Sequence, residues 1–201
     1  MRVANFFLCF VSLFILAPAS HAALKIGDVA PAVSAEDTHG KAVNLAEMKG
    51  KIVVLEWTNH ACPFVRKHYD SKNIQTLQSY SKEKDVVWIS VISSAQGKQG
   101  FVTAEEANKI VAAEESHAAH IVLDPSGAIG KAYDAKTTPH MFVIDKQGKL
   151  AYMGAIDDVS SADVKDVARA TNYVRAAMDD LMAGKTPKVE ASSPYGCGIK
   201  Y

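Results

Sequence analysis

The chain has 201 residues, of which 48% are hydrophobic and 22% are charged, and these are the proportions of one ordinary soluble domain. Its 22 basic residues are balanced by 22 acidic ones, so it lacks the basic excess that attracts nucleic acid or anionic lipid, and neither partner is expected. No segment is repetitive or strongly biased in composition, which argues against fibrous and largely disordered architectures.

The first 22 residues have the pattern of a secretory signal peptide. Arg2 gives a positive start, residues 6–16 are almost wholly apolar, and the SHA sequence at residues 20–22 places small residues at the two positions that a signal peptidase recognises. The apolar run is shorter than the roughly 20 residues of a membrane-spanning helix, so membrane insertion is not expected. We predict that residues 23–201 form a single domain, secreted across the inner membrane into the periplasm.

Removal of the signal peptide changes the cysteine count. Cys9 leaves with that peptide, whereas Cys62 and Cys197 enter an oxidising compartment. An even number of cysteines there indicates a pair, although one bridge is too few for a disulfide-stabilised scaffold.

Apolar runs alternate with helical stretches along the rest of the chain. In chain order, the sequence predicts a strand at 52–57, a helix that opens at Pro63 in a segment reaching about residue 82, a strand at 86–92, a helix at 104–116, a short strand at 121–123, helical turns at 128–133, and strands at 140–144 and 150–153. This alternation predicts an α/β fold with a central sheet, and the hairpin turn at residues 145–148 adds an antiparallel edge.

The C-terminal region is predicted to be one helix followed by a tail. Apolar residues recur at three- and four-residue spacing between residues 164 and 181, Ser160 with Asp163 suits the start, and Gly184 suits the end. From about residue 186 the sequence is polar and shows no helical pattern, which predicts a flexible tail that contains Cys197.

Cys62 is the first candidate for chemistry. It follows a predicted strand and a short turn, and Pro63 suits the first position of a helix, where the missing N–H is not needed. Cys62 is therefore expected at or beside the helix N-cap, where free N–H groups and the helix dipole stabilise a thiolate, and Arg66 adds positive charge one turn later. These features favour a nucleophilic thiol with a pKa below about 8.5 over a buried, inert cysteine.

A proline precedes the strand predicted at residues 140–144. A proline at the start of a central strand usually needs a special backbone conformation. A cis peptide bond between Thr138 and Pro139 satisfies that need, although most bonds of this kind are trans.

The motifs together resemble those of thioredoxin-fold redoxins of the alkyl hydroperoxide reductase/thiol-specific antioxidant group, and more closely those of the secreted, peroxiredoxin-like redoxins. The motifs that carry the resemblance are WTNHACPFVRKHY (57–69), SSAQGKQG (93–100), TTPHMFVID (137–145), YMGAIDD (152–158) and GCGIKY (196–201). The resemblance implies a thioredoxin-like fold, with a central mixed β-sheet flanked by helices, in which Cys62 is the redox cysteine and Pro139 is a cis-proline packed against it.

The chain departs from the patterns of these families at the cysteine. Thioredoxins carry a second cysteine three residues after the first, where this chain has Val65, and typical peroxiredoxins have a threonine three residues before the cysteine, where this chain has Asn59. Peroxiredoxins also use an arginine from a distant strand, for which Arg66 is the only stand-in. Cys197 is then either a distant resolving thiol, with mobility from the glycines beside it, or a cysteine in a static bridge or a loose tail.

Histidines offer a rival chemistry, since five of them would form a copper or zinc site with Cys62 if they converged: His60, His68, His117, His120 and His140. Copper carriers of this fold place two cysteines close in sequence, unlike this chain, so no metal or other cofactor is predicted.

Six residues are instead assigned to a substrate pocket around the thiol: Thr58, Asn59, His60, Pro63, Thr138 and His140. Asp157 and Asp158 are expected to be solvated surface carboxylates, and Trp57 and Trp88 core residues.

The sequence therefore predicts a thiol-dependent oxidoreductase whose catalytic residues are Cys62, Cys197, Arg66 and Pro139. Cys62 attacks either a hydroperoxide, through a sulfenic acid, or a protein disulfide, through a mixed disulfide, and an external thiol reductant restores the pair. The alternative is a non-catalytic binding protein, such as a copper carrier that uses Cys62 and nearby histidines. The choice of substrate and the oligomeric state stay open at this point.

Overall fold

The computed structural model describes residues 23–201, so the predicted signal peptide at residues 1–22 lies outside the described part of the chain. The strands are β1 (Ser34–Glu36), β2 (Ala42–Asn44), β3 (Val53–Trp57), β4 (Val87–Ile92), β5 (His120–Leu123), β6 (Thr137–Thr138), β7 (His140–Ile144), β8 (Leu150–Gly154) and β9 (Cys197–Gly198).

The helices are α1 (Pro63–Asp70), α2 (Asn73–Glu83), α3 (Ala104–Ala113), α4 (Ala128–Ala132) and α5 (Tyr173–Met182), with 3-10 helices at Leu45–Met48 and Val164–Arg169. No helix within residues 23–201 is long and apolar enough to cross a membrane. Each strand and helix predicted between residues 52 and 154 has a counterpart within a few residues of its predicted bounds.

Five strands form a mixed sheet in the order β5-β4-β3-β7-β8. The central strand β3 is parallel to β4 and antiparallel to β7, and all five of its residues are buried. A strand covered on both faces needs apolar side chains on both, which explains why the β3 sequence is almost continuously apolar. The predicted thioredoxin-like α/β fold, with a mixed sheet between helices, is confirmed.

The two faces of the sheet carry separate apolar cores. One core joins Val54, Trp88 and Val143 to residues of α1, α2 and α5, and it includes Cys62. The other core contains Trp57 and Phe142, whose rings lie 5.0 Å apart. Both tryptophans are buried core residues, as predicted.

The prediction of one continuous helix near the C-terminus is wrong. Residues Val164–Arg169 form a 3-10 helix without a buried residue, and α5 starts separately at Tyr173. Ala170 and Asn172 have extended backbone conformations, and the Asn172 side chain accepts a hydrogen bond from the Arg175 N–H. Asparagine favours such caps because its side chain satisfies a free N–H at a helix start, and here the cap begins a new helix.

The segment after residue 186 lies against the domain. The Glu190 carbonyl accepts a hydrogen bond from Met153, β9 pairs antiparallel with β6, and the Tyr201 hydroxyl donates to the Ala135 carbonyl oxygen at 2.7 Å. The tail therefore has defined contacts along its length in this state, whereas the mobility expected of it stays a prediction.

Candidate active site

Cys62 is the N-cap of α1, and Pro63 is the first residue of that helix, as the sequence predicts. The turn between β3 and α1 is closed by Asn59, whose backbone carbonyl accepts from the Cys62 N–H and whose side chain accepts from the Ala61 N–H. Cys62 has no exposed surface. A thiol at a helix N-terminus but shielded from water needs a change in its surroundings before a large substrate can reach it.

The residues around the thiol come from segments far apart in the chain. The Cys62 thiol donates a hydrogen bond to the Thr138 carbonyl oxygen at 3.1 Å, and the Thr138-Pro139 peptide bond is cis, as expected. The sulfur atoms of Cys62 and Cys197 lie 2.6 Å apart, and both cysteines are free thiols. The fold thus brings together the nucleophile, the cis-proline segment and the tail cysteine.

Pairing between β6 and β9 places Cys197 at this position. In the register of the two strands, Thr138 is opposite Cys197. Gly196 has a φ of +141°, and a Cβ atom there would overlap the Thr138 carbonyl oxygen. Only glycine combines this φ with so close an approach of backbone to backbone, so Gly196 is required for the docked position of Cys197.

The two thiols differ in acidity. Burial raises the pKa of Cys62, but the hydrogen bond from Cys197 and the N–H of Val65 lower it by more, so its pKa lies below the ordinary value. Burial raises the pKa of Cys197 to about 11, and the neighbouring Cys62 adds to that shift. Cys62 is therefore the more acidic thiol of the pair, and Cys197 is the one that holds its proton more tightly.

Arg66 lies one turn after Cys62, but its guanidinium bonds elsewhere. It forms ion pairs with Asp70 and Glu114. Two carboxylates therefore balance its charge, and burial raises the pKa of Glu114 to about 7. Arg66 thus contributes less positive charge to the thiol than the sequence suggests.

The predicted pocket residues divide between the two faces of the sheet. Thr58 and His60 line a small cavity with Tyr69 and Glu114, and burial together with the charge of Arg66 lowers the pKa of His60. His140 lies on the other face, because side chains alternate along a strand; its ring packs 4.4 Å from that of Phe142. Burial, with the charge of Lys136, lowers the pKa of His140 to about 4, so it is a neutral residue away from Cys62.

The histidines have separate partners. His68 bonds to Asn73 and Tyr195, and His120 pairs with Asp37 at 2.8 Å. Within residues 23–201 no three His, Cys, Asp or Glu side chains are grouped to hold a metal ion. The convergence that a copper site requires is not found in this part of the chain.

A buried polar cluster that the sequence did not predict lies where α1 meets the tail. Its members are Lys67, His68, Asp157 and Tyr195, and the first three are at most 2% exposed as side chains. The expectation that Asp157 is a solvated carboxylate is therefore wrong, because Lys67 and Tyr195, both distant in sequence, bond to it. Asp158 is exposed, as expected.

Glu56 is a second buried polar group that was not predicted from the sequence. Its carboxylate accepts hydrogen bonds from Tyr69, Trp88 and Ser90 at 2.8 to 3.1 Å, while burial raises its pKa. The signal was a single charged residue within the apolar strand sequence VVLEW, since a charged side chain in a central strand must be buried with partners.

Comparison with known proteins places the chain among redoxins. The Redoxin family profile matches residues 25–171. Thiol-disulfide oxidoreductase ResA of Bacillus subtilis is 28% identical over 124 residues, which cover 62% of this chain and 64% of that relative. The match therefore spans less than two thirds of the relative's length.

Two solved structures share the fold. An uncharacterized conserved protein of Geobacillus kaustophilus aligns with a TM-score of 0.75 at 24% identity, covering 89% of this chain and 93% of its own. A putative thiol:disulfide interchange protein DsbE of Chlorobium tepidum aligns with a TM-score of 0.52 at 25% identity, covering 65% and 85% of the two chains.

Proposed function

Because the chain belongs to the Redoxin family, we propose that it is a thiol-disulfide oxidoreductase with Cys62 as nucleophile and Cys197 as resolving thiol. One observation carries the proposal: the Cys62 thiol, at the N-terminus of α1, has a lowered pKa and lies 2.6 Å from the sulfur of Cys197. A thiolate beside a second thiol is the arrangement that disulfide exchange requires.

The reaction proceeds in two exchanges. The Cys62 thiolate attacks one sulfur of the substrate disulfide, forms a mixed disulfide and releases the other substrate sulfur as a thiolate. Cys197 then gives up its proton to solvent or to a released thiolate, and its sulfur attacks that of Cys62. This attack releases the second substrate thiolate and closes the Cys62–Cys197 disulfide. One substrate disulfide is reduced as two protein thiols are oxidised, and an external thiol reductant reverses the oxidation.

A protein disulfide is the favoured substrate. The relative from Bacillus subtilis is a thiol-disulfide oxidoreductase, and that from Chlorobium tepidum is described as a thiol:disulfide interchange protein. In the peroxiredoxin-like alternative, the Cys62 thiolate attacks the outer oxygen of a hydroperoxide, the O–O bond breaks, and the other oxygen leaves as an alcohol or as water. Cys62 is then a sulfenic acid, which Cys197 attacks to form the disulfide as water leaves. Arg66 is the predicted activator for that reaction, but Asp70 and Glu114 already balance its charge.

The proposed compartment is the periplasm. The signal-peptide pattern of residues 1–22 supports export, and disulfides persist in compartments of this kind. The intact mass of the exported protein is expected to correspond to a chain that starts at Ala23, and retention of Cys9 would contradict this assignment.

Two assays run side by side test the activity. One follows reduction of a model protein disulfide with dithiothreitol as the external reductant, and the other follows consumption of hydrogen peroxide. Wild-type protein is expected to accelerate the first assay, and Cys62→Ser is expected to return it to the uncatalysed rate. With dithiothreitol omitted, reduced Cys197→Ser is expected to react once and to accumulate the mixed disulfide at Cys62, because the second exchange has lost its thiol.

The outcomes distinguish the alternatives. Peroxide consumption that depends on Cys62, without reduction of the protein disulfide, would assign the chemistry to hydroperoxides. Cys62→Ser with wild-type rates in both assays would exclude Cys62 as the nucleophile and overturn the proposal.

A further inference from the structure

The tail must leave and return during the proposed reaction. Cys62 is fully buried, and Tyr195 and Cys197 of the tail pack against the core cluster that contains it. A protein substrate therefore reaches Cys62 only when the tail moves away. The intramolecular disulfide closes only when the tail comes back. A group that holds the tail in place therefore slows the attack of Cys62 on the substrate and speeds closure of the Cys62–Cys197 disulfide.

Tyr195 is bound more extensively than a surface tyrosine. Its hydroxyl donates a hydrogen bond to Asp157, and its oxygen lies 3.1 Å from His68 Nε2 and 3.3 Å from Lys67 Nζ. Its ring also packs edge-on against that of Phe64, with 5.9 Å between the centroids.

Two of the three partners of the Tyr195 hydroxyl, Lys67 and His68, are held by further hydrogen bonds. Lys67 Nζ donates to the Val159 carbonyl oxygen at 2.8 Å, and Asn73 donates to His68 Nδ1 at 2.9 Å. Since Nδ1 of His68 accepts, the neutral ring carries its proton on Nε2 and donates it to the Tyr195 oxygen. Burial lowers the pKa of His68 to about 4, which keeps the ring neutral. Lys67, His68 and Asp157 thus form a binding site for the Tyr195 hydroxyl, in which the hydroxyl donates one hydrogen bond and accepts two.

The binding site for the Tyr195 hydroxyl also limits the position of Cys197. Tyr195 precedes Cys197 by two residues, and two residues of extended chain span at most about 7 Å. A tail anchored at Tyr195 therefore keeps the Cys197 thiol close to Cys62, which raises its effective concentration for attack.

We propose that Tyr195 is a positioning residue for disulfide closure, held by the buried Lys67, His68 and Asp157, and this inference rests on the proposed function. Binding of its hydroxyl keeps Cys197 docked on Cys62. Release of the hydroxyl exposes Cys62 to the substrate, and rebinding brings Cys197 back to attack the mixed disulfide.

The test uses the reduced protein and oxidised glutathione as the small disulfide. Cys62 attack gives a glutathione adduct and one reduced glutathione, and Cys197 attack gives the intramolecular disulfide and a second reduced glutathione. Rapid acid quenching and mass spectrometry measure both steps. Cys197→Ser, alone and combined with Tyr195→Phe, isolates the rate of the first step.

Tyr195→Phe keeps the aromatic ring and removes only the hydroxyl. We expect disulfide closure to slow about tenfold or more, as for loss of a hydrogen bond to a charged group, and adduct formation at Cys62 to become faster. Tyr80→Phe is the matched control, because it removes a hydroxyl bonded to Asp179 on another surface, and it is expected to leave both rates unchanged.

The measured rates distinguish failure of the proposed function from failure of the role proposed for Tyr195. Absence of any Cys62 adduct or disulfide in the wild-type protein would overturn the proposed function. Normal exchange in the wild type with unchanged closure in Tyr195→Phe would overturn this inference alone. Slowing of both steps together with a lower midpoint of thermal unfolding would also overturn it, since general destabilisation does not accelerate the first step.

Discussion

Opposing effects determine the acidity of Cys62. Burial disfavours the thiolate, whereas the hydrogen bond from Cys197 and the N–H groups at the start of α1 stabilise it, and the stabilising effects are larger. The same hydrogen bond raises the pKa of Cys197, because the Cys197 proton is shared with the Cys62 sulfur and is therefore harder to remove. The neighbouring thiol therefore contributes more to the reactivity of Cys62 than Arg66 does.

The pH dependence of Cys62 alkylation tests this assignment. The midpoint in the wild-type protein is expected below the ordinary cysteine value of about 8.5, because the thiolate is the reactive form and its pKa is lowered. Cys197→Ala is expected to move the midpoint to higher pH by removing the hydrogen bond. Peptide mapping identifies the alkylated cysteine at each pH.

Arg66→Ala serves as the comparison for that measurement. Its effect on the midpoint is expected to be smaller than that of Cys197→Ala, since Asp70 and Glu114 balance the Arg66 charge. A larger effect from Arg66→Ala, or a wild-type midpoint at or above about 8.5, would contradict the assignment.

The pairing of β6 with β9 holds Cys197 of the tail next to Cys62. The pairing is short, with two residues on each strand. Further contacts hold the tail on both sides of it, including those of Tyr195 and the hydrogen bond of Tyr201 to Ala135. A two-residue pairing by itself is marginal, so these flanking contacts and the close approach at Gly196 maintain it.

Gly196→Ala is expected to weaken docking of β9. The added Cβ overlaps the Thr138 carbonyl oxygen and also meets an unfavourable φ, and holding a residue other than glycine in so sparsely populated a backbone conformation costs about 1–3 kcal/mol. The fraction of protein with a closed Cys62–Cys197 disulfide, titrated against a glutathione redox buffer, is expected to fall at a given potential.

Gly198→Ala is the matched control for this change. It lies on the other side of Cys197, and a Cβ there has no atom within 4 Å. The titration curve of Gly198→Ala is expected to coincide with that of the wild type. Equal curves for both alanine variants and the wild type would show that the close approach at Gly196 does not control docking.

For the protein as a whole, the proposed disulfide would connect the start of α1 to the C-terminal tail. Cys62 and Cys197 are separated by 135 positions, so their bond closes a long loop in the unfolded chain. Loss of that loop's conformational freedom destabilises the unfolded state. In the chain-entropy account, a loop of this length contributes about 5 kcal/mol to the free energy of unfolding.

Oxidised protein is therefore expected to unfold at a higher denaturant concentration than reduced protein. The difference is measured by chemical denaturation of both forms, with the disulfide verified by mass. Cys197→Ser, treated in the same way, is expected to show no difference between the two conditions. Equal stability of the oxidised and reduced wild type would argue against a bond between these two positions.

Features that depend on neighbouring residues in the chain could be predicted from the sequence alone. Local periodicity predicts the alternation of strands and helices and the burial of Trp57 and Trp88. The preference of proline for the first turn of a helix predicts that Cys62 is the N-cap of α1. The cis bond before Pro139 also had a local signal. These features need no knowledge of which distant residues meet.

The remaining features depend on contacts between segments that are distant in the chain. Asp157 is buried because Lys67, 90 positions away, lies beside it, and Arg66 is balanced by Glu114, 48 positions away. The contact of Cys197 with Cys62 likewise depends on the path of the tail over the sheet. The partner of a charged or reactive side chain is fixed by packing between segments, and packing has no counterpart in the spacing of residues along the chain.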